Sequence, residues 1–124
     1  MNKQVSTVIN KFINFNYGDK PCKRGNDSIV QQDKNIIWLY HDNTIASANL
    51  EERKLVLSLA GFPTKSTMER LNMLLQEMGV RGNPFRGYGT TRYPPHPVFC
   101  GNPIDWHDEI IIDVNAIKAG VYND

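Results

Sequence analysis

The chain has 124 residues, 40% of them apolar and 22% charged, with 14 basic and 13 acidic side chains for a formal charge of +1. Those proportions fit a globular domain and exclude extended disorder. The near-zero net charge excludes a global attraction to nucleic acid or anionic membrane, so any such binding needs a local patch.

No apolar run approaches the ~20 residues that span a bilayer. The first sixteen residues interrupt their apolar positions with Lys3, Gln4, Lys11 and Asn14, which is not the continuous apolar stretch of a signal peptide. The expected location is therefore the cytoplasm, with no membrane partner. In a reducing cytosol Cys22 and Cys100 are expected as free thiols.

In chain order, residues 2–16 read as an amphipathic helix. Val5, Val8, Ile9, Phe12 and Ile13 recur at helical spacing, Asn2 is the candidate cap, and Gly18 the stop. Residues 17–27 are polar and turn-rich, and read as a loop. Four strands are then expected at 28–32, 35–40, 44–48 and 54–59, joined by short turns, as in an antiparallel meander. The unbroken run Ile36-Ile37-Trp38-Leu39-Tyr40 predicts a central strand covered on both faces. A second helix is expected over 66–79, with Ser66 and Glu69 forming a capping box, Pro63 just outside and Gly79 at the end. Residues 80–107 carry nine glycines and prolines and read as a long irregular loop, followed by a last strand at 109–114. The fold class is α+β: a small antiparallel meander of three to five strands packed with two main helices, in one globular domain over 1–124.

Four constellations bear on chemistry. The stretch 81–93 holds Arg81, Phe85, Arg86, Tyr88, Arg92 and Tyr93 and no acid. Arginine and aromatic side chains anchor protein interfaces, and together they can also hold phosphates and stack bases. These six are the candidate partner-binding residues. The bland alternative is aromatics docked on the core and arginines in solvent. His96, Cys100, His107 and Asp108 have loose zinc-like spacing but no CxxC pair, so no metal or cofactor is expected. Cys100 with either histidine could make a thiolate pair, yet no nucleophile, P-loop or zinc-protease signature is present, so no catalytic residue is assigned and enzyme activity is not the expectation. His41-Asp42-Asn43 reads as a hairpin turn.

Two segments resemble a family of small proteins from tailed bacteriophages. Its members carry a strand ending in LHGN-x-IA and, further on, aG(W/Y)-x-T-x-TT-x-(E/R)-RLN opening a helix. Here the matching residues are His41-Asp42-Asn43-Thr44-Ile45-Ala46 and Gly61-Phe62-Pro63-Thr64-Lys65-Ser66-Thr67-Met68-Glu69-Arg70-Leu71-Asn72. The chain departs from the pattern at Asp42, where glycine is usual, and at Ser66, where threonine is usual. The resemblance implies a phage origin and a strand–strand–helix core, and carries over no catalytic residue. Phages encode many small proteins that bind and block host factors. The expected function is therefore an accessory protein that engages and inhibits a host protein. The alternative is nucleic-acid binding through 81–93, and an exposed edge strand offers a route to a homodimer.

Overall fold

The computed structural model describes residues 3–49, 51–62, 64–88 and 96–123. The candidate cap Asn2, the turn residue Pro63 and the candidate binding residues Arg92 and Tyr93 lie outside them. Among the described residues the elements in chain order are α1 Lys3–Ile13, β1 Cys22–Arg24, β2 Asp27–Gln32, β3 Asn35–Tyr40, β4 Asn43–Asn49, β5 Lys54–Ser58, α2 Lys65–Glu77, β6 Phe85–Tyr88, β7 His96–Phe99, β8 Asn102–Pro103, β9 Glu109–Asp113 and α3 Val114–Lys118.

The fold is α+β. Strands β1 to β5 form an antiparallel meander, and β9 adds to its far edge against β5, giving six strands in the order β1-β2-β3-β4-β5-β9. A separate three-stranded sheet, β6-β7-β8, holds much of the stretch expected as loop. The sequence hid it because its strands are only four, four and two residues long and include Pro97 and Pro103. Proline within a run argues against a strand, and here the strands are short enough to tolerate it. Likewise, β1 lies inside the expected loop at 17–27.

Alternation along the strands puts the core on one face of the large sheet. Ile29, Ile36, Trp38, Ala46, Leu55, Leu57 and Ile112 lie there, all within 2% of full burial. The helices α1 and α2 cover this face with Val5, Val8, Ile9 and Phe12 from one and Met68, Leu71, Leu74 and Leu75 from the other. The opposite face is not covered as the apolar run in β3 suggested. Ile37 and Leu39 are only half-buried there. Ile13, expected in the buried stripe of α1, is exposed at the helix end.

The second helix starts two residues earlier than its capping box predicts. Thr64 is the N-cap, its side chain accepting from the Thr67 amide at 3.2 Å, and the two threonine hydroxyls are 3.0 Å apart. Ser66 therefore falls within the first turn and does not cap. At the other end Gly79 takes φ +112°, its amide donates to Gln76, and the Val80 amide donates to Leu75. That is a Schellman stop, with Val80 buried as its apolar contact.

A buried polar network ties the two layers. Asp27 is fully buried and accepts from Arg70 Nε at 2.9 Å, Arg70 Nη2 at 3.1 Å and Trp38 Nε1 at 2.9 Å. Gln4 of α1 adds a longer contact at 3.4 Å. Asn72 meets the backbone of Phe85 twice, donating to its carbonyl at 2.9 Å and accepting from its amide at 2.8 Å. An asparagine side chain thus plays the part of a neighbouring strand and fastens β6 to α2.

Candidate functional site

One end of the large sheet opens into a pocket of about 270 Å3. Its wall comes from two stretches of chain: Tyr40, His41, Asn43 and Ile45 from the β3–β4 hairpin, and Leu59, Ala60, Phe62, Thr64, Lys65, Ser66 and Thr67 from the link between β5 and α2 and that helix's first turn.

Local geometry explains each side. The β3–β4 connection has two central residues, His41 at φ +49° and Asp42 at φ +62°. Two consecutive left-handed residues define the tight turn whose twist suits a hairpin, and the second is where glycine is favoured. The phage pattern has glycine at this position, so Asp42 carries the strain that glycine would avoid. Asn43 Nδ2 donates to the His41 carbonyl at 2.9 Å and closes the turn. One residue pair further in, the register shifts between Trp38 and Leu39. As a result both Ile45 and Ala46 are buried, and Ile45 becomes part of the pocket wall. On the other side Ala60 and Gly61 are also left-handed, at φ +55° and +79°. The Gly61 amide donates to the Trp106 carbonyl at 2.8 Å, and the His107 imidazole lies against the face where a Cβ would stand. This bend swings Phe62 outward, 54% exposed, while Trp106, on the segment bonded to Gly61, is 43% exposed.

The wall is held from behind. The Arg70 guanidinium, fixed by Asp27, lies 3.8 Å from the centre of the Tyr40 ring, and that ring is 4.4 Å from the His41 imidazole. Tyr40 is therefore clamped between a buried cation and the turn. Among the described residues no aspartate or glutamate lines the pocket, and Lys65 is the lysine that does.

The residues backed by sequence fall differently. Phe85 is 2% exposed with its ring 4.8 Å from that of Phe99, so it belongs to the core and offers no face to a partner. Its alternation in β6 and the pull of Asn72 turn it inward. Arg81 and Arg86 are exposed. Arg81 lies just past the C-terminal end of α2, whereas the pocket is at its N-terminal end. Tyr88 ends β6. Among the described residues no three of histidine, cysteine, aspartate and glutamate gather as a metal site would require. Cys100, at φ +49°, directs its thiol to the Tyr122 carbonyl at 3.7 Å. No helix among the described residues is long and apolar enough to cross a membrane.

The motif that carries the resemblance divides cleanly in space. Arg70, Leu71 and Asn72 are spent on the fold: a buried ion pair, a fully buried core contact and the tether to β6. Thr64 and Thr67 make the cap. Phe62, Lys65 and Ser66 have no such duty, and they line the pocket together with His41, which also builds the turn. Sequence reading missed this convergence, because the two halves of the motif lie about twenty residues apart and meet only through the hairpin and the left-handed bend.

These features define a one-sided antiparallel sheet protein with two covering helices and a pocket at one sheet end. The chain belongs to the Kyanoviridae Gp96 protein family, a bacteriophage family whose model matches residues 1–90. The match takes in both halves of the pocket wall. No curated protein and no solved structure matches the chain.

Proposed function

We propose that this phage-encoded accessory protein binds a host protein, and blocks it, through the pocket end of the large sheet. The observation that carries the reading is the pairing of two large exposed aromatics, Phe62 and Trp106, on neighbouring segments beside a concave, pre-formed pocket. Interfaces draw most of their energy from a few aromatic or arginine anchors set around a desolvated centre. The rigid mounting of Tyr40 on Arg70 supports the reading, since a wall already fixed loses little freedom on association.

The test is capture from host lysate by the tagged protein, in nuclease-treated and untreated halves, with parent and a Phe62→Ala/Trp106→Ala variant. The expected result is one host protein recovered in both halves and lost with the variant, while the far-ultraviolet circular dichroism of the variant is unchanged. Capture that survives the double substitution refutes the assigned face. Capture that needs intact nucleic acid and falls with Arg81→Ala/Arg86→Ala refutes the protein-binding reading in favour of the basic stretch at 81–93.

A further inference from the structure

We infer that the pocket is a receptor for a small organic anion: one carboxylate or phosphate carried on a ring or branched apolar body about the size of an amino-acid side chain. The inference rests on the reading of this sheet end as a contact face, which it deepens by naming the group that the pocket itself takes.

Three properties of the cavity lead there. The first is size. At about 270 Å3 it falls just under the roughly 300–1,000 Å3 of pockets for drug-sized molecules, so it suits a fragment. The second is the character of its floor. Ile45 and Leu59 are buried at 2% and 1% exposure, and Phe62 stands at the rim with half its surface open. Ile45 and Leu59 give a floor already shielded from water, and an apolar body gains by covering the open surface of Phe62, on which a ring can also stack.

The third property is charge. Among the described residues, Lys65 lines the cavity with no carboxylate in the wall to neutralise it and no ion pair elsewhere, and it is exposed to solvent. Ser66 also lines the cavity, and its hydroxyl is not used in capping the helix, which Thr64 does. A lysine ammonium and a hydroxyl next to an apolar floor match a ligand with an anionic head and an apolar body. A neutral ligand would gain nothing from the ammonium, and a cation would be repelled. Asp42 and Glu69, the nearest acids in sequence, are both exposed and outside the wall.

The experiment is a two-dimensional amide NMR titration of the full chain with three probes. N-acetylphenylalanine supplies a carboxylate on an aromatic body, phenyl phosphate supplies a phosphate on a similar body, and N-acetylphenylalaninamide supplies the body without charge. Saturable shifts centred on His41, Phe62 and Ser66 are expected for at least one anion, with a Kd on the order of 0.1–10 mM, and about tenfold weaker binding for the neutral probe. The stronger of the two anions identifies the head group. Lys65→Gln is expected to bring that anion down to the neutral probe's affinity, without changing the shifts of core amides. The inference is overturned if the neutral probe binds as tightly as both anions, if Lys65→Gln leaves the anion's affinity intact, or if no probe gives saturable shifts at the pocket. Such a failure leaves host-protein capture through Phe62 and Trp106 untouched, and loss of capture with those two residues leaves the titration untouched, so the two readings fail separately.

Discussion

Replacing Asp27 by asparagine keeps the shape of the side chain and removes its charge. In the folded protein that carboxylate is wholly buried and takes two bonds from Arg70, whose side chain is 12% exposed, and one from the Trp38 indole. Asparagine can still accept from one or two of those donors through its oxygen. Its amide nitrogen, however, must then face a guanidinium, and the buried cation loses its counter-ion. Removing one member of a buried pair costs about 3–5 kcal/mol. Since small domains are stable by roughly 5–15 kcal/mol in all, Asp27→Asn is expected to consume a large share of the total. Urea unfolding followed by tryptophan emission suits the measurement, because Trp38 is fully buried and Trp106 is already 43% exposed, so the change reports mainly Trp38. The companion variant Asp27→Leu/Arg70→Met removes both charges and is expected to recover part of the loss, the remainder of about 1–3 kcal/mol reflecting the buried Trp38 indole N–H left without its acceptor. The reasoning is refuted if Asp27→Asn costs less than about 1 kcal/mol, the range of a solvent-exposed pair.

Asn72→Ala removes both bonds to Phe85 and leaves a buried amide and carbonyl unmet; a loss of about 2–4 kcal/mol is expected, with amide exchange rising first across 80–88. Thr64→Ala is expected to lower stability by about 1 kcal/mol and Ser66→Ala to leave it unchanged, measured by thermal unfolding; the reverse order would restore Ser66 as the cap. Gly61→Ala is expected to cost about 1–2 kcal/mol from its left-handed backbone, and more because the new methyl meets His107. Adding His107→Ala should return only the second part, which a double-mutant cycle separates.

Elements whose residues alternate or recur at regular spacing were legible in the sequence. The apolar positions of α1 and the alternation of Leu55 and Leu57 in β5 announce a side facing the core, whereas the three consecutive isoleucines of β9 announce a strand without saying which side is buried. What local pattern could not carry was decided by long-range partners. The run from Ile36 to Tyr40 is unbroken by charge or amide, yet only one of its faces received helices, which depends on where α1 and α2 dock. The cap of α2 went to Thr64 because Thr67 offered both an amide and a hydroxyl at the right distance, a competition invisible to a Ser-x-x-Glu reading. Strands β6 to β8 were masked by glycine and proline, and by the fact that their anchor, Asn72, lies on a helix. The pocket was the least legible feature. Its residues are individually ordinary for turns and caps, and only the two left-handed bends bring them together.

Tyr122 has a consequence for how the molecule behaves at high concentration. Its hydroxyl accepts the Asp113 amide at 3.0 Å, which shows that this amide points away from β5. By the two-residue alternation, the peptide groups of Glu109 and Ile111 point the same way, along the outer margin of the sheet. Ile111 is 65% exposed there, the kind of margin on which chains zip together. The phenol closes one end of that margin like a stopper. At the other end the charges do the work: two molecules aligned head-to-tail about Ile111 would set Glu109 of each against Asp113 of the other. Shielding by one tyrosine and mutual repulsion by two acids leave a sticky stretch too short, and too negative, to propagate from molecule to molecule.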